Sequence, residues 1–202
     1  GLAGIERLRN EPRPAAQRLE EIRAQVEDLK DDDLQFEFYR NSGLAYLQAC
    51  DSRRAEHDLM AALGLAEQSL RENRSERQRL IWSRKTGAAY RALVRLKLRQ
   101  DSEQALWRWE WYKAASLRSG QTKAKSGRLA EDFSNVQSLS NTRKTLPVDT
   151  AVLSYALFPE GIAAWVYGRD SVRQIWLPVP QAEIESQARV FAEHCADDRY
   201  DV

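Results

Sequence analysis

Nucleophilic or metal-assisted chemistry in this chain would have to come from very few side chains. The 202 residues include two cysteines and two histidines. Cys50 and Cys195 are 145 positions apart, a separation typical of neither a disulfide framework nor a metal site. His194 adjoins Cys195, but adjacent residues of a helix point about 100° apart, so the imidazole does not reach the sulfur. We expect Cys195 to be a buried, inert side chain, and we predict no catalytic residue, metal ligand or cofactor in these residues.

Charged residues are segregated along the chain, although the formal net charge is only +1. The stretch from Glu20 to Asp33 holds seven acidic and two basic residues, whereas the stretch from Arg84 to Arg128 holds twelve basic and three acidic ones. Within the basic stretch, four arginines recur at helical spacing and form one stripe: Arg84, Arg91, Arg95 and Arg99. Three lysines follow this stripe: Lys113, Lys123 and Lys125.

Two classes of partner suit these basic residues. Nucleic acid would bind them through counterion release, but no base-reading motif or glycine-rich phosphate loop accompanies them. An acidic protein surface, such as the 20–33 segment of a second copy, is therefore favoured over nucleic acid. A membrane partner is not expected, because no window approaches about 18 consecutive apolar residues.

Helical periodicity extends from about residue 14 to residue 118, where apolar residues return every three or four positions. Polar residues divide this region. Asp31–Asp33 and Asp51–Ser52 offer N-cap residues for the helices that follow, and Asn73, Ser75 and Asp101–Ser102 mark further breaks. Five helices are predicted. One begins at the first break and ends near residue 49, and the others are 15–29, 53–71, 76–99 and 104–117. This part of the chain is therefore predicted to be mainly α.

The pattern changes after Leu117. Residues 119–145 are polar and are predicted to form a linker with at most one short helix. From residue 146 the period switches to two, which predicts three strands: 150–157, 162–167 and 172–177. A helix is predicted at 181–196 with one buried stripe: Ile184, Ala188, Phe191 and Cys195.

Tyr39-x-x-Ser42-Gly43-x-x-Tyr46, followed by Ala55, Leu59 and Ala62, resembles a tetratricopeptide (TPR) repeat. Gly43 and Ala55 would let the two helices of one hairpin approach closely, while the larger side chains fill the grooves. Every signature position but one fits, since the leucine position holds Ser42. A degenerate second copy is carried by these residues: Gly87, Tyr90, Ala105, Trp109 and Tyr112.

The resemblance implies a TPR-like α-α superhelix in residues 1–118, with a concave face lined by the first helix of each hairpin. Its ligand-facing positions are Arg40, Asn41 and Gln48 in the first copy and Arg84, Lys85 and Arg91 in the second. Such a face would bind a protein or peptide partner, in particular an acidic peptide or a C-terminal carboxylate, because arginine can hold carboxylates with two hydrogen bonds. The alternative is that these are ordinary solvated charges.

Residues 146–155, Leu-Pro-Val-Asp-Thr-Ala-Val-Leu-Ser-Tyr, resemble the start of a CHAT domain, the caspase-like α/β module often found after TPR repeats. The order of strands, turns and helix through residue 195 is similar to that family, so 146–202 is interpreted as the first part of such a domain. The resemblance implies a cysteine endopeptidase whose histidine and cysteine end two later strands. Neither motif occurs in this chain, which is therefore expected to be inactive by itself. The alternative is a non-enzymatic TPR scaffold or adaptor.

The chain begins at Gly1 rather than at a methionine, which indicates a fragment or a processed chain. The sparse cysteines indicate a reducing, cytoplasmic location, although a missing N-terminus could have carried a leader. Three strands and one helix leave an unpaired edge, so self-association through the incomplete sheet is expected.

Aromatic residues and His57 are expected to serve packing rather than ligand binding. Three tryptophans and a tyrosine are predicted to lie in a core or interface: Trp107, Trp109, Trp111 and Tyr112. Trp165 and Trp176 are predicted to form a cross-strand or near pair. His57, between Glu56 and Asp58, is predicted to be a solvated or locally paired surface side chain.

Overall fold

The computed structural model describes residues 12–72, 75–118 and 137–195. The chain divides into two compact units between Leu139 and Ser140. Most of the predicted linker, 119–136, lies outside the described residues, and a short helix occupies part of the remainder. The described residues are mostly helical, with one small antiparallel sheet.

Consecutive helices build the first unit. In chain order they are α1 (Pro12–Glu27), α2 (Asp32–Gln48), α3 (Ser52–Glu72), α4 (Glu76–Leu98), α5 (Ser102–Lys113) and the one-turn α6 (Ala115–Arg118). Each of the first five packs against the next, and α2 also packs against α4. The predicted helices are confirmed to within a few residues at each end, except that the last of them is broken at Ala114.

Polar side chains cap three of these helices at breaks that the sequence predicts, one of which, Asp31–Asp33, is predicted as a cap. The Asp31 carboxylate accepts hydrogen bonds from the backbone N–H groups of Asp33 and Leu34, both at 3.0 Å. Ser75 forms a reciprocal capping box with Gln78, and Asp101 caps α5 in the same way as Asp31 caps α2. Each cap satisfies backbone donors that have no partner inside the helix, an effect of about 1 kcal/mol.

Glycines mark the closest approaches between neighbouring helices. A Cβ atom at Gly43 of α2 would lie 2.7 Å from Cγ of Leu59 on α3, so only glycine permits this packing distance. A Cβ atom at Gly87 of α4 would lie 2.9 Å from Oη of Tyr112 on α5. The predicted close approach at Gly43 is confirmed, and Ala55 is fully buried beside it.

Large aromatic side chains complete the core of the helical unit. The Trp82 indole is buried and donates from Nε1 to the carbonyl oxygen of Ala66 at 2.6 Å. Trp107 and Trp111 are buried with ring centroids 5.3 Å apart, which confirms their predicted core role. Trp109 and Tyr112 are half-buried and lie 5.6 Å apart.

The second unit contains three strands in the order β1 (Val152–Phe158), β2 (Gly161–Tyr167) and β3 (Val172–Leu177). Two helices flank them: α7 (Gln137–Arg143), which crosses the division between the units, and α8 (Gln181–Cys195). Both strand pairs are antiparallel, and all three predicted strands are present to within two residues. Within the described residues, β1 and β3 are both edge strands.

The two faces of the sheet differ in burial. One face is buried and is formed by Ser154, Ala156, Phe158, Ala163 and Trp165. Trp176 lies on this same face, diagonal to Trp165, and its ring packs 6.0 Å from that of Phe158. The opposite face exposes apolar side chains: Leu153, Tyr155, Val166, Ile175 and Leu177.

The predicted buried stripe of the last helix is wrong. No residue of α8 is buried, and 71% of the Phe191 surface is exposed. Cys195 is exposed as well, contrary to its predicted role as a buried side chain. The amphipathic pattern identified the apolar side of the helix correctly, but periodicity cannot tell whether another element lies against that side.

None of the described helices combines the length and the apolar character needed to cross a bilayer.

Candidate functional site

Helices α2 and α4, which pack against each other, carry all six residues predicted to form the binding surface. Three of the six are half-buried: Arg40, Asn41 and Lys85. The other three are exposed: Gln48, Arg84 and Arg91. Every predicted side chain is therefore at least partly exposed to solvent.

Phe36 of α2 is approached by a cation from its own helix and by one from α4. Its ring is buried, and two of the predicted cations flank it. The guanidinium carbon of Arg40 is 5.7 Å from the ring centroid, and the Lys85 ammonium is 4.8 Å from it. The structure therefore brings Arg40 and Lys85 together around one aromatic ring, at distances where the ring attracts cations.

Both of these cations already have acidic partners within the chain. Lys85 Nζ lies 2.5 Å from Oδ1 of Asp33, and Arg40 Nη2 lies 2.5 Å from Oε2 of Glu37. The repeat resemblance predicts the cations but not these carboxylates. Only the spacing of three between Glu37 and Arg40 could have indicated one of the pairs, because Asp33 and Lys85 are 52 positions apart.

Arg84 and Arg91 remain as the exposed cations of the predicted set, and neither forms an ion pair with a described residue. They are seven positions apart on α4, which is two helical turns or about 10.5 Å along the axis. Gln48 belongs elsewhere: it lies in the last turn of α2, about 22 Å along the axis from Asp33. The predicted surface therefore has two parts. One is a neutralised patch around Phe36, in which carboxylates pair with the cations, and the other is two arginines that form no ion pair with a described carboxylate.

A second polar cluster, which the sequence analysis did not identify, joins α1, α2 and α3 around Asp58. Two oxygens of this buried carboxylate accept from the Arg23 guanidinium, at 2.8 and 3.1 Å. The Ser42 hydroxyl donates to it at 2.6 Å. Ser42 holds the position at which the TPR signature that this segment resembles has leucine, and its buried hydroxyl is satisfied by this hydrogen bond.

These contacts shift the pKa values of the ionisable groups in and beside the cluster. Burial alone would raise the pKa of Asp58, but hydrogen bonds from Arg23, Ser42 and His57 outweigh it and hold the pKa below its ordinary value. The hydrogen bond from Tyr46, 2.7 Å long, lowers the pKa of Glu20. Burial and the same carboxylate raise the pKa of Tyr46. The cluster is therefore an ionised structural network at neutral pH.

The described residues contain no assembled site for nucleophilic catalysis. Cys50 and Cys195 are both exposed and neither forms a disulfide. His57 is 76% exposed and lies 3.0 Å from Asp58, as its predicted role as a locally paired surface residue requires. Within 12–72, 75–118 and 137–195, no group of three or more acidic, histidine or cysteine side chains could hold a metal ion.

A scan of protein-family models, a search of curated proteins and a search of solved structures each found no match to this chain.

Proposed function

We propose that this chain is the partner-docking, regulatory portion of a CHAT-family, caspase-like cysteine peptidase, with its helical unit forming a TPR-like superhelix. Sequential packing of α1 to α5, the added contact of α2 with α4, and the glycine approach at Gly43 support the repeat interpretation. The antiparallel order of β1, β2 and β3, followed directly by α8, supports the interpretation of the second unit.

One observation carries the docking function: Arg84 and Arg91 are exposed on α4 beside a neutralised patch, with no ion pair to any described residue. Because Arg40 and Lys85 already contact Glu37 and Asp33, the cations of the predicted set that are left to attract an acidic partner are Arg84 and Arg91. Exposed guanidinium groups bind carboxylates with charge-assisted hydrogen bonds. The proposed partner is therefore an acidic protein segment.

Peptide binding tests the docking function. Fluorescein-labelled acidic peptides, both helical and extended, are titrated with the chain and with a variant that carries Arg84→Glu and Arg91→Glu. We expect binding of at least one peptide to fall by at least about tenfold in this variant, because two attractive pairs become repulsive. A control with the same charge change, Arg53→Glu with Arg169→Glu, alters exposed arginines elsewhere and is expected to bind normally. Equal losses in both variants would contradict the proposal.

Peptidase activity is a separate part of the proposal, which assigns the catalytic histidine and cysteine to sequence beyond Val202. Cleavage of a fluorogenic peptide library is therefore measured with the full-length protein and with these 202 residues alone. Cleavage by the former alone, retained when Cys50 and Cys195 are both replaced by alanine, supports a CHAT-type peptidase.

A non-enzymatic scaffold is the second candidate, favoured by apolar side chains that are exposed on the second unit. Leu153, Tyr155 and Phe191 are 65%, 58% and 71% exposed, which is typical of surfaces that other chains cover. Absence of cleavage by the natural polypeptide, together with a mass that rises with concentration in sedimentation, would support this candidate.

A further inference from the structure

The exposed side of α4 carries a regular alternation of residues that the repeat interpretation does not explain. Seven exposed residues follow one line along the helix: Arg77, Ile81, Arg84, Ala88, Arg91, Arg95 and Arg99. Up to Arg95 they are separated alternately by four and three positions, so the line runs almost parallel to the helix axis. Cations and apolar side chains alternate along it as far as Arg91. We call this line the α4 stripe.

We propose that the α4 stripe binds an acidic amphipathic helix of a protein partner, with carboxylates seven positions apart and an apolar side chain midway between them. This inference rests on the proposed docking function and names the partner of the same surface. The carboxylates would pair with Arg84 and Arg91, while the apolar side chain would pack against Ala88. Ile81, which is 56% exposed, would accept the next apolar side chain.

Spacing favours a helix over an extended peptide. From Arg77 to Arg91, successive members of the stripe are 3.5 positions apart on average, about 5.3 Å along the axis. Successive side chains on one face of a helix are about 5.4 Å apart, whereas those on one face of a strand are about 6.7 Å apart. After three steps a partner helix is out of register by less than about 1 Å, and a strand by about 4 Å.

Charge around the stripe favours a protein over nucleic acid. Ile81 and Ala88 interrupt the cations, so a phosphate backbone would face apolar side chains at every second step. Asp33, with an 84% exposed side chain, contacts Lys85 directly beside the stripe. This ion pair neutralises Lys85, so the surface beside the stripe adds little attraction for a phosphate backbone.

Three labelled peptides test the inference by fluorescence anisotropy at about 150 mM salt. The first is a helical peptide with glutamates seven positions apart and leucines midway. The second has the same composition but glutamates five positions apart. The third alternates glutamate and leucine in a proline-flanked, extended peptide. We expect the first to bind at least about tenfold more tightly than the others and to lose about tenfold in the variant with Arg84→Ala and Arg91→Ala.

A matched variant with Arg53→Ala and Arg169→Ala removes two exposed arginines elsewhere and is expected to bind the first peptide within about twofold of the unaltered chain. If the extended peptide binds as tightly as the first and depends on Arg84 and Arg91, the helix inference fails while acidic docking stands. If a 20-base-pair DNA binds more tightly than all three peptides with the same dependence, the acidic partner is overturned. If no peptide binds below about 1 mM, or if binding ignores Arg84 and Arg91, both proposals fail.

Discussion

Arg23 of α1 and Asp58 of α3 form an ion pair across 2.8 Å in which only 2% of the Asp58 side chain is exposed. Ser42 of α2 donates to the same carboxylate, so a single acidic side chain connects three helices. Hydrogen bonds to an ionised carboxylate such as that of Asp58 are stronger than those between neutral groups. Because α1 lies outside the α2–α3 hairpin, this contact specifies how α1 packs against it.

Replacing Asp58 with asparagine should lower the free energy of unfolding by roughly 2 kcal/mol, because Arg23 loses its most buried counterion and keeps only the exposed Glu20 and Glu27, at 3.1 and 3.7 Å. Urea denaturation at pH 7, followed by circular dichroism, measures this change. Asp28→Asn is the matched control, since Asp28 is exposed and should change stability by less than about 0.5 kcal/mol. Similar midpoints for the two variants would show that the buried pair does not stabilise the fold.

Acid should destabilise the helical unit through the same carboxylates. The folded-state pKa values of Asp58 and Glu20 lie below their ordinary values, so their stabilising contribution is complete above the unfolded-state values of about 4. It is lost as the pH falls from there through the folded-state values. We expect urea midpoints to be level between pH 5 and pH 7 and to fall below about pH 4. The Asp58→Asn variant should show a shallower fall, and parallel curves would contradict this assignment.

The outcome at Asp58 illustrates what sequence patterns can and cannot predict. Caps such as Asp31 and Ser75 are local, because each side chain bonds to backbone a few positions away. The sequence predicted the first as a cap and the second as a break between helices. Arg23 and Asp58 are 35 positions apart, so only the packing of α1 on α3 brings them together. The sole sequence signal was negative: Ser42 stands where the repeat signature has leucine.

The binding surface and α8 show the same division between local and tertiary information. Periodicity placed Arg84 and Arg91 correctly on the outside of α4, but it could not show that Asp33 neutralises Lys85 from another helix. It likewise found the apolar side of α8 and not the exposure of Phe191 and Cys195. Both errors concern which element, if any, lies opposite a face, and that depends on contacts distant in sequence.

Two glycines in neighbouring helices should respond to alanine in opposite ways. Gly43→Ala forces a methyl group to within 2.7 Å of Leu59, so we expect a loss of about 1–3 kcal/mol despite the better helix propensity of alanine. Gly64 lies in α3. Apart from its own helix backbone and its chain neighbours, no described atom is within 4 Å of the place that a methyl group would take, so Gly64→Ala should gain about 0.5–1 kcal/mol. Urea denaturation of the two variants measures both signs, and a gain at Gly43 would refute the close approach of α2 and α3.

Cys50 lies just after the C-cap residue of α2, in a backbone conformation that favours glycine. Its φ is 64°, and its N–H donates to the carbonyl of Leu47 while that of Asp51 donates to Tyr46, the hydrogen bonds of a Schellman cap. A non-glycine residue pays about 1–2 kcal/mol for this conformation, and glycine loses about 0.5–1 kcal/mol more entropy on folding.

Cys50→Gly should therefore stabilise the chain by about 0.5–1 kcal/mol, whereas Cys50→Val should destabilise it by about 1 kcal/mol, because a β-branched residue tolerates a positive φ poorly. Thermal and urea denaturation under reducing conditions measure both changes. Cys50→Ala is the control for loss of the thiol: it keeps the backbone cost and should remain within about 0.5 kcal/mol of the unaltered chain. If alanine stabilises as much as glycine, the effect comes from the thiol and not from the left-handed backbone.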